Sequence, residues 1–143
     1  MMRDRLETNP GRVIAGRYVL HERIGRGGLG VVYRAVDERL ARTVAVKLLG
    51  DRVADDPAAE QRLAREARAA AGLTSPHIVQ VYDYGVEADR PYLVLEYVPG
   101  GTLAAHVAGQ LPLPAEAVVT YGRQIAAGLA VAHARGLVHR DVT

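Results

Sequence analysis

Gly25, Gly27 and Gly30 form the pattern G-x-G-x-x-G within Gly25-Arg26-Gly27-Gly28-Leu29-Gly30. Glycines at that spacing let a backbone turn tightly and approach a ligand closely, so the pattern recurs in loops that cradle phosphates. Further along, Lys47 closes the run Val44-Ala45-Val46-Lys47, Glu66 sits among arginines and alanines, and His139-Arg140-Asp141 lies close to Thr143. A lysine can hold phosphate oxygens as a point charge, a carboxylate can hold the lysine, and an aspartate can take the proton of an attacking hydroxyl.

The surrounding elements decide what kind of phosphate loop this is. Arg17 to Ile24, Val31 to Val36 and Thr43 to Leu49 read as strands, the second rich in β-branched residues. The glycines therefore fall between two strands. A dinucleotide loop needs its glycines to open a helix whose N-terminus meets the pyrophosphate, and the alternation of Val31-Val32-Tyr33-Arg34-Ala35-Val36 argues against that. A Walker A loop fails because no Gly-Lys-Ser/Thr follows. Taken alone, the loop is equally a ligand-free hairpin, and Lys47 is equally an edge lysine that blocks aggregation.

Asp55-Asp56-Pro57 starts a helix that runs to about Ala71, with Gly72 as its stop. Leu63, Glu66, Ala67 and Ala70 share one side of it, and Arg65 and Arg68 the other. A carboxylate on the inward stripe needs a partner. The residues alone leave two, Arg62 one turn back and Lys47. His77 to Tyr84 and Tyr92 to Val98 read as two more strands, joined by a hairpin loop over residues 85–91. After Pro99-Gly100-Gly101 the pattern turns helical. Thr102 caps a short helix to about Ala108, Leu111-Pro112-Leu113-Pro114 breaks the chain, and Ala115 to Arg135 forms a long helix. Val118, Tyr121, Ile125, Leu129 and Ala132 lie on one face of it. Gly122 and Gly128 weaken that helix, so packing must support it, and Gly136 ends it.

The chain has 143 residues, 49% hydrophobic and 24% charged, an ordinary balance for one globular domain or a piece of one. It has no Phe, Trp or Cys, so its aromatic packing rests on tyrosine, and disulfides and thiolate metal sites are excluded. A net charge of +2 gives no footprint for nucleic acid. The opening Met1-Met2-Arg3-Asp4-Arg5 lacks the apolar core of a secretory signal, and no apolar run is long enough to span a bilayer.

Five motifs now stand in order: Ile24 to Val32 (G-x-G-x-x-G-x-V), Val44 to Lys47, Arg65-Glu66-Ala67, Pro91 to Leu103, and Gly136 to Asp141. Together they resemble the start of a bacterial Ser/Thr protein kinase of the eukaryotic-like type, over residues from about 17 to 143. The resemblance implies an α+β fold. A flexible tail (1–16) precedes a kinase-like small lobe and hinge (17–98), an antiparallel five-stranded sheet plus one helix. The first helices of the large lobe follow (99–143). It implies ATP-dependent phosphoryl transfer to Ser/Thr of a protein substrate.

On that resemblance Gly25, Arg26, Gly27, Gly28, Leu29, Gly30 and Val31 would cover the ATP phosphates. Ile24, Val32 and Ala45 would form the apolar upper wall, and Leu95 the residue limiting the adenine pocket. The Glu96 carbonyl and the Val98 backbone would meet the adenine edge. Lys47 would hold the α- and β-phosphates, Glu66 would hold Lys47, and Asp141 would act as base. His139 and His133 are scaffold or surface residues, and Arg140 receives an activation-loop phosphate in related kinases. Mg²⁺ is implied, but its usual ligands, an Asn and an Asp-Phe-Gly motif, are expected beyond Thr143, so no metal ligand is assigned. Thr143 stands where Ser/Thr members usually carry Lys, which removes a cation from beside the γ-phosphate. The chain is thus expected to be a kinase fragment with little or no activity alone, the alternative being an inactive nucleotide-binding module. Its expected partners are ATP and a protein substrate, not nucleic acid, with dimerisation through the small lobe as a further option. The expected location is cytoplasmic, with a membrane anchor of the parent protein downstream.

Overall fold

Strict alternation in two neighbouring strands shapes the fold. A computed structural model describes residues 10–27, 30–50, 55–139 and 142. Strands β1 (Val13–Ile14), β2 (Tyr18–Gly27), β3 (Gly30–Asp37) and β4 (Arg42–Leu49) run in sequence, followed by helix α1 (Pro57–Ala71). Strands β5 (Val81–Glu87) and β6 (Arg90–Glu96) come next, then helices α2 (Leu103–Val107) and α3 (Ala115–Ala134). All strand pairs are antiparallel, in the order β1-β2-β3-β4-β6-β5.

The sheet has six strands where the sequence predicts five. The addition, β1, lies in the stretch expected to be a tail: Val13 and Ile14 pair with Val19 and Tyr18, and Ile14 is buried. Every second residue of β3 and β4 faces one core. Val31, Tyr33 and Ala35 meet Val44, Val46 and Leu48, joined by Tyr18, Leu20, Tyr92 and Val94. Apolar burial on one face of a pleated strand fixes its register, since a one-residue slip would expose the whole set.

The sheet curls so that its two edges meet. The Tyr18 hydroxyl donates to Asp83 Oδ2 at 2.7 Å and the Ala15 amide to Glu87 Oε1 at 2.7 Å. The junction centres on Asp37, whose carboxylate is 0% exposed. Arg17 grips it with two parallel bonds, Nε to Oδ1 at 2.8 Å and an amino group to Oδ2 at 2.7 Å. The Arg39 and Leu40 amides also donate to Oδ1, closing the β3–β4 turn. The Arg17 bonds hold the Asp37 carboxyl well below its usual range, to about 2.

Helix α1 starts where its signals place it: the Asp56 carboxylate caps the Ala58 amide at 2.9 Å, with Pro57 in the first turn. The helix packs on β5, burying Ala67 with Leu63 and Ala70 half-buried, while Arg65 and Arg68 face solvent. Thr102 caps α2 through the Ala105 amide. In α3, Gly128 has a packing reason: a Cβ there would stand 2.7 Å from the His77 carbonyl oxygen. The apolar face of the helix is otherwise open, with Val118 53% and Ile125 48% exposed.

Two outcomes test this frame. Asp37→Asn is expected to destabilise the fold by about 2–3 kcal/mol, read by urea unfolding at pH 7. Because the folded Asp37 pKa lies below the unfolded value, its contribution is present above about pH 4 and is lost as pH falls towards 2; that acid limb should vanish in the variant. Gly128→Leu is expected to cost about 1–3 kcal/mol by driving α3 from the His77 carbonyl, whereas Gly122→Ala, in open space, should gain about 0.5–1 kcal/mol.

Candidate functional site

The strand registers place the sequence-predicted residues in rows. Gly25 pairs with Val32, Val32 with Lys47, and Lys47 with Leu93. The next row runs Arg34, Ala45 and Leu95. Directly opposed residues share a face. Both rows therefore lie on the face opposite the core, because their residues on β3, β4 and β6 each neighbour a core residue along the strand. Val32, Lys47, Leu93 and Leu95 are half-buried, and Ala45 is buried. Two half-buried cations, Lys47 and Arg34, thus stand among apolar residues on the face turned from the core.

The glycines stand at one end of these rows, where β2 and β3 pair through Arg26–Val31 and Gly27–Gly30. Gly27 pairs with Gly30, so the connection is residues 28 and 29; Gly28 and Leu29 lie outside the described residues. The glycines are not equivalent. Gly30 has φ +152° and a Cβ there would lie 2.1 Å from the Leu48 carbonyl oxygen, so β3 begins against the backbone of β4. At Gly25 a Cβ would make ordinary contact with Val32, and at Gly27 it would meet nothing.

At the other end, β6 delivers Leu95 and Glu96 to the exit from the sheet. Sequence reasoning gave Glu96 only a backbone role, yet its side chain is engaged. The Gln80 amide donates to Glu96 Oε2 at 3.0 Å, and the Glu96 amide donates to the Gln80 carbonyl at 2.8 Å. This couple fixes the segment leading into Val98. Ile24 and Val98 are 45% and 53% exposed, apolar side chains open to solvent on either side of the patch. Such an arrangement suits a flat apolar ring with polar edges, read by backbone groups.

Glu66 is exposed on α1 and lines a groove of about 700 Å³ with Leu73, Ile78, Leu129, Leu137 and His139. No ion pair of Lys47 appears among the described residues. Helix α1 rests on β5, two strands from β4. Arg140, Asp141 and Thr143 lie outside the described residues; His133 is exposed in the last turn of α3. Among the described residues no cluster of three or more His, Cys, Asp or Glu could hold a metal ion. No described helix is long and apolar enough to cross a membrane.

Known proteins share this arrangement. The family model described as protein kinase domain matches residues 18–143. Serine/threonine-protein kinase PknL of Mycobacterium tuberculosis is 43% identical over 140 residues, covering 98% of this chain and 34% of its own length. A probable serine/threonine-protein kinase pknA2 of Bifidobacterium longum is 42% identical over 139 residues, covering 95% of this chain and 18% of that protein. The chain thus spans about a third or less of the length of these relatives. The crystal structure of the Mycobacterium tuberculosis PknI kinase domain superposes with TM-score 0.82 at 32% identity, covering 96% of this chain and 56% of that one.

The inequality of the glycines is testable. Gly30→Ala is expected to destabilise by about 2–4 kcal/mol, since both its φ and the Leu48 carbonyl oppose a methyl group. Gly25→Ala and Gly27→Ala should each stay within about 1 kcal/mol of the parent in the same unfolding measurement.

Proposed function

Since this chain belongs to the protein kinase family, we propose that it holds ATP for a serine/threonine-protein kinase, with a protein hydroxyl as the acceptor. The observation that carries the proposal is the cross-strand row Gly25–Val32–Lys47–Leu93 on the face turned from the core. The glycine strands cover the phosphates, Lys47 takes their charge, and Val32, Ala45, Leu95 and Ile24 form the apolar roof over adenine. The backbone of Glu96 and Val98 meets its edge. Glu66 reaches Lys47 when α1 closes on β4, and Asp141 accepts the proton of the incoming hydroxyl. Mg²⁺ would neutralise charge developing on the phosphates when bound. In this reading the 143 residues bind nucleotide and transfer little of it by themselves.

The test combines binding and transfer. Titrating the chain with ATP, with and without Mg²⁺, should raise its melting temperature. Lys47→Met is expected to weaken binding about tenfold by removing the phosphate cation, while Asp141→Asn leaves binding unchanged. No shift at millimolar ATP overturns the proposal, and unaltered binding by Lys47→Met overturns the role of that lysine. Transfer of labelled phosphate to casein should stay at background; transfer that survives Asp141→Asn overturns the base assignment.

A further inference from the structure

Strand β2 is irregular where it passes over the cleft face. Leu20 pairs with Ala35, Arg23 with Tyr33 and Gly25 with Val32. Between Leu20 and Arg23, and again between Arg23 and Gly25, β2 spends one residue more than β3 does. Two bulges thus fall within residues 21–24, the first holding Glu22 and the second Ile24. A bulge gives up ladder bonds and re-aims the side chains beside it. Left alone, such a stretch would be the slackest part of the sheet, yet it carries the exposed Ile24 next to Gly25, which pairs with Val32.

One side chain spans the first bulge. Arg34 lies on β3 between the paired residues Tyr33 and Ala35, opposite the extra residue of β2, and its Nε donates to Glu22 Oε1. Arg34 belongs to the row with Ala45 and Leu95, so the pair stands on the cleft face rather than on the core face. Tyr97, just past β6, is within electrostatic range of the guanidinium, and His21 is within range of the carboxylate. The bond holds the Glu22 carboxyl down to about 2, so the pair stays charged throughout the physiological range.

We infer that the Glu22–Arg34 ion pair is a positioning strut of the nucleotide site: it pins the doubly bulged stretch of β2 and so holds Ile24 over the adenine. The inference rests on the nucleotide-binding reading above. A surface pair with no such role would leave ligand affinity untouched when broken. A strut converts its loss into a looser roof, because the ligand must then order residues 21–24 as it binds.

Charge reversal provides the test. Glu22→Arg and Arg34→Glu, made singly and together in the 143-residue chain, are titrated with ATP and with uncharged adenosine. Adenosine removes any long-range effect of the changed charge on phosphate. Each single reversal is expected to weaken both ligands about five- to tenfold, and the double reversal to return to within about twofold of the parent. Backbone hydrogen exchange at Ile24 to Gly27, measured without ligand, should quicken in each single variant and slow again in the double. If a single reversal fails to fold, Glu22→Gln replaces it, with a smaller loss in the same direction expected. Single variants with parental affinity, or a double variant that rescues nothing, overturn the inference. If the parent chain binds neither ligand, the nucleotide reading itself falls. The exchange measurement separates the two failures: unchanged exchange at Ile24 to Gly27 in the single variants refutes the strut whatever the ligands do.

Discussion

The buried Asp37 carboxylate is the point on which the curled sheet turns. It stands at the end of β3, takes a two-pronged grip from Arg17 beside β2 and closes its own turn into β4. Arg17 also lies 3.9 Å from Asp83 on β5, which holds the Tyr18 hydroxyl, so opposite edges of the sheet meet at one charge cluster. The Arg42 guanidinium, 3.7 Å from Asp37, stacks on the Tyr82 ring and ties β4 to β5 as well. A buried carboxylate stripped of its cation would cost several kcal/mol, so the cluster disfavours other registers more than it adds net stability. Its effect is long-range. With the registers of β3 and β4 fixed at this end, the two-residue period carries that setting along the strands to Val32 and Lys47 at the other, while β2 reaches Gly25 through its two bulges.

That propagation explains why so much of the fold was legible. β-Branched runs over Val31 to Val36 and Thr43 to Leu49 mark strands that must bury alternate residues, and the structure has them within one residue. Asp56-Pro57 and Thr102 mark helix starts because capping is local chemistry, decided by the residues themselves. The failures are equally physical. The β5–β6 loop reads as seven residues but closes in two, Ala88 and Asp89, both with positive φ. Alanine gives no warning of a left-handed turn; the pairing of the strands imposes it. Residues 77–80 are apolar enough for a strand, yet Ser75 and Glu96 capture the amides of His77, Ile78 and Gln80 instead. Strand β1 is too short to show a period at all, and its pairing with β2 and the burial of Ile14 are tertiary facts.

The site divides along the same line. Residues carried by the sheet, Val32, Ala45, Lys47 and Leu95, were legible because motif spacing and strand register are the same information. The bulges of β2 were not, since a bulge is a mismatch between two strands and neither strand records it alone. Hence the Glu22–Arg34 pair, the Glu96 side chain and the Asp37 cluster escape a motif reading, although each holds a motif residue in place. Their type gives one signal in retrospect: Asp37 follows five residues of alternating pattern and falls on a core-facing position, where an acid needs a cation.

Glu66 shows where register stops helping. Of the face predicted to turn inward, Ala67 is buried and Leu63 and Ala70 are half-buried, but Glu66 itself is exposed. A helix, however, is placed by packing rather than by hydrogen-bonded register, and α1 has settled on β5 with its end tied to Gln80 through the Ala71 carbonyl. Lys47 moves with the sheet, while Glu66 moves with a helix that borders the same groove as α3. The two charges therefore belong to different mechanical units. Where Glu66 stands is accordingly a property of how the helix sits, whereas the row that carries Lys47 is set by strand register alone.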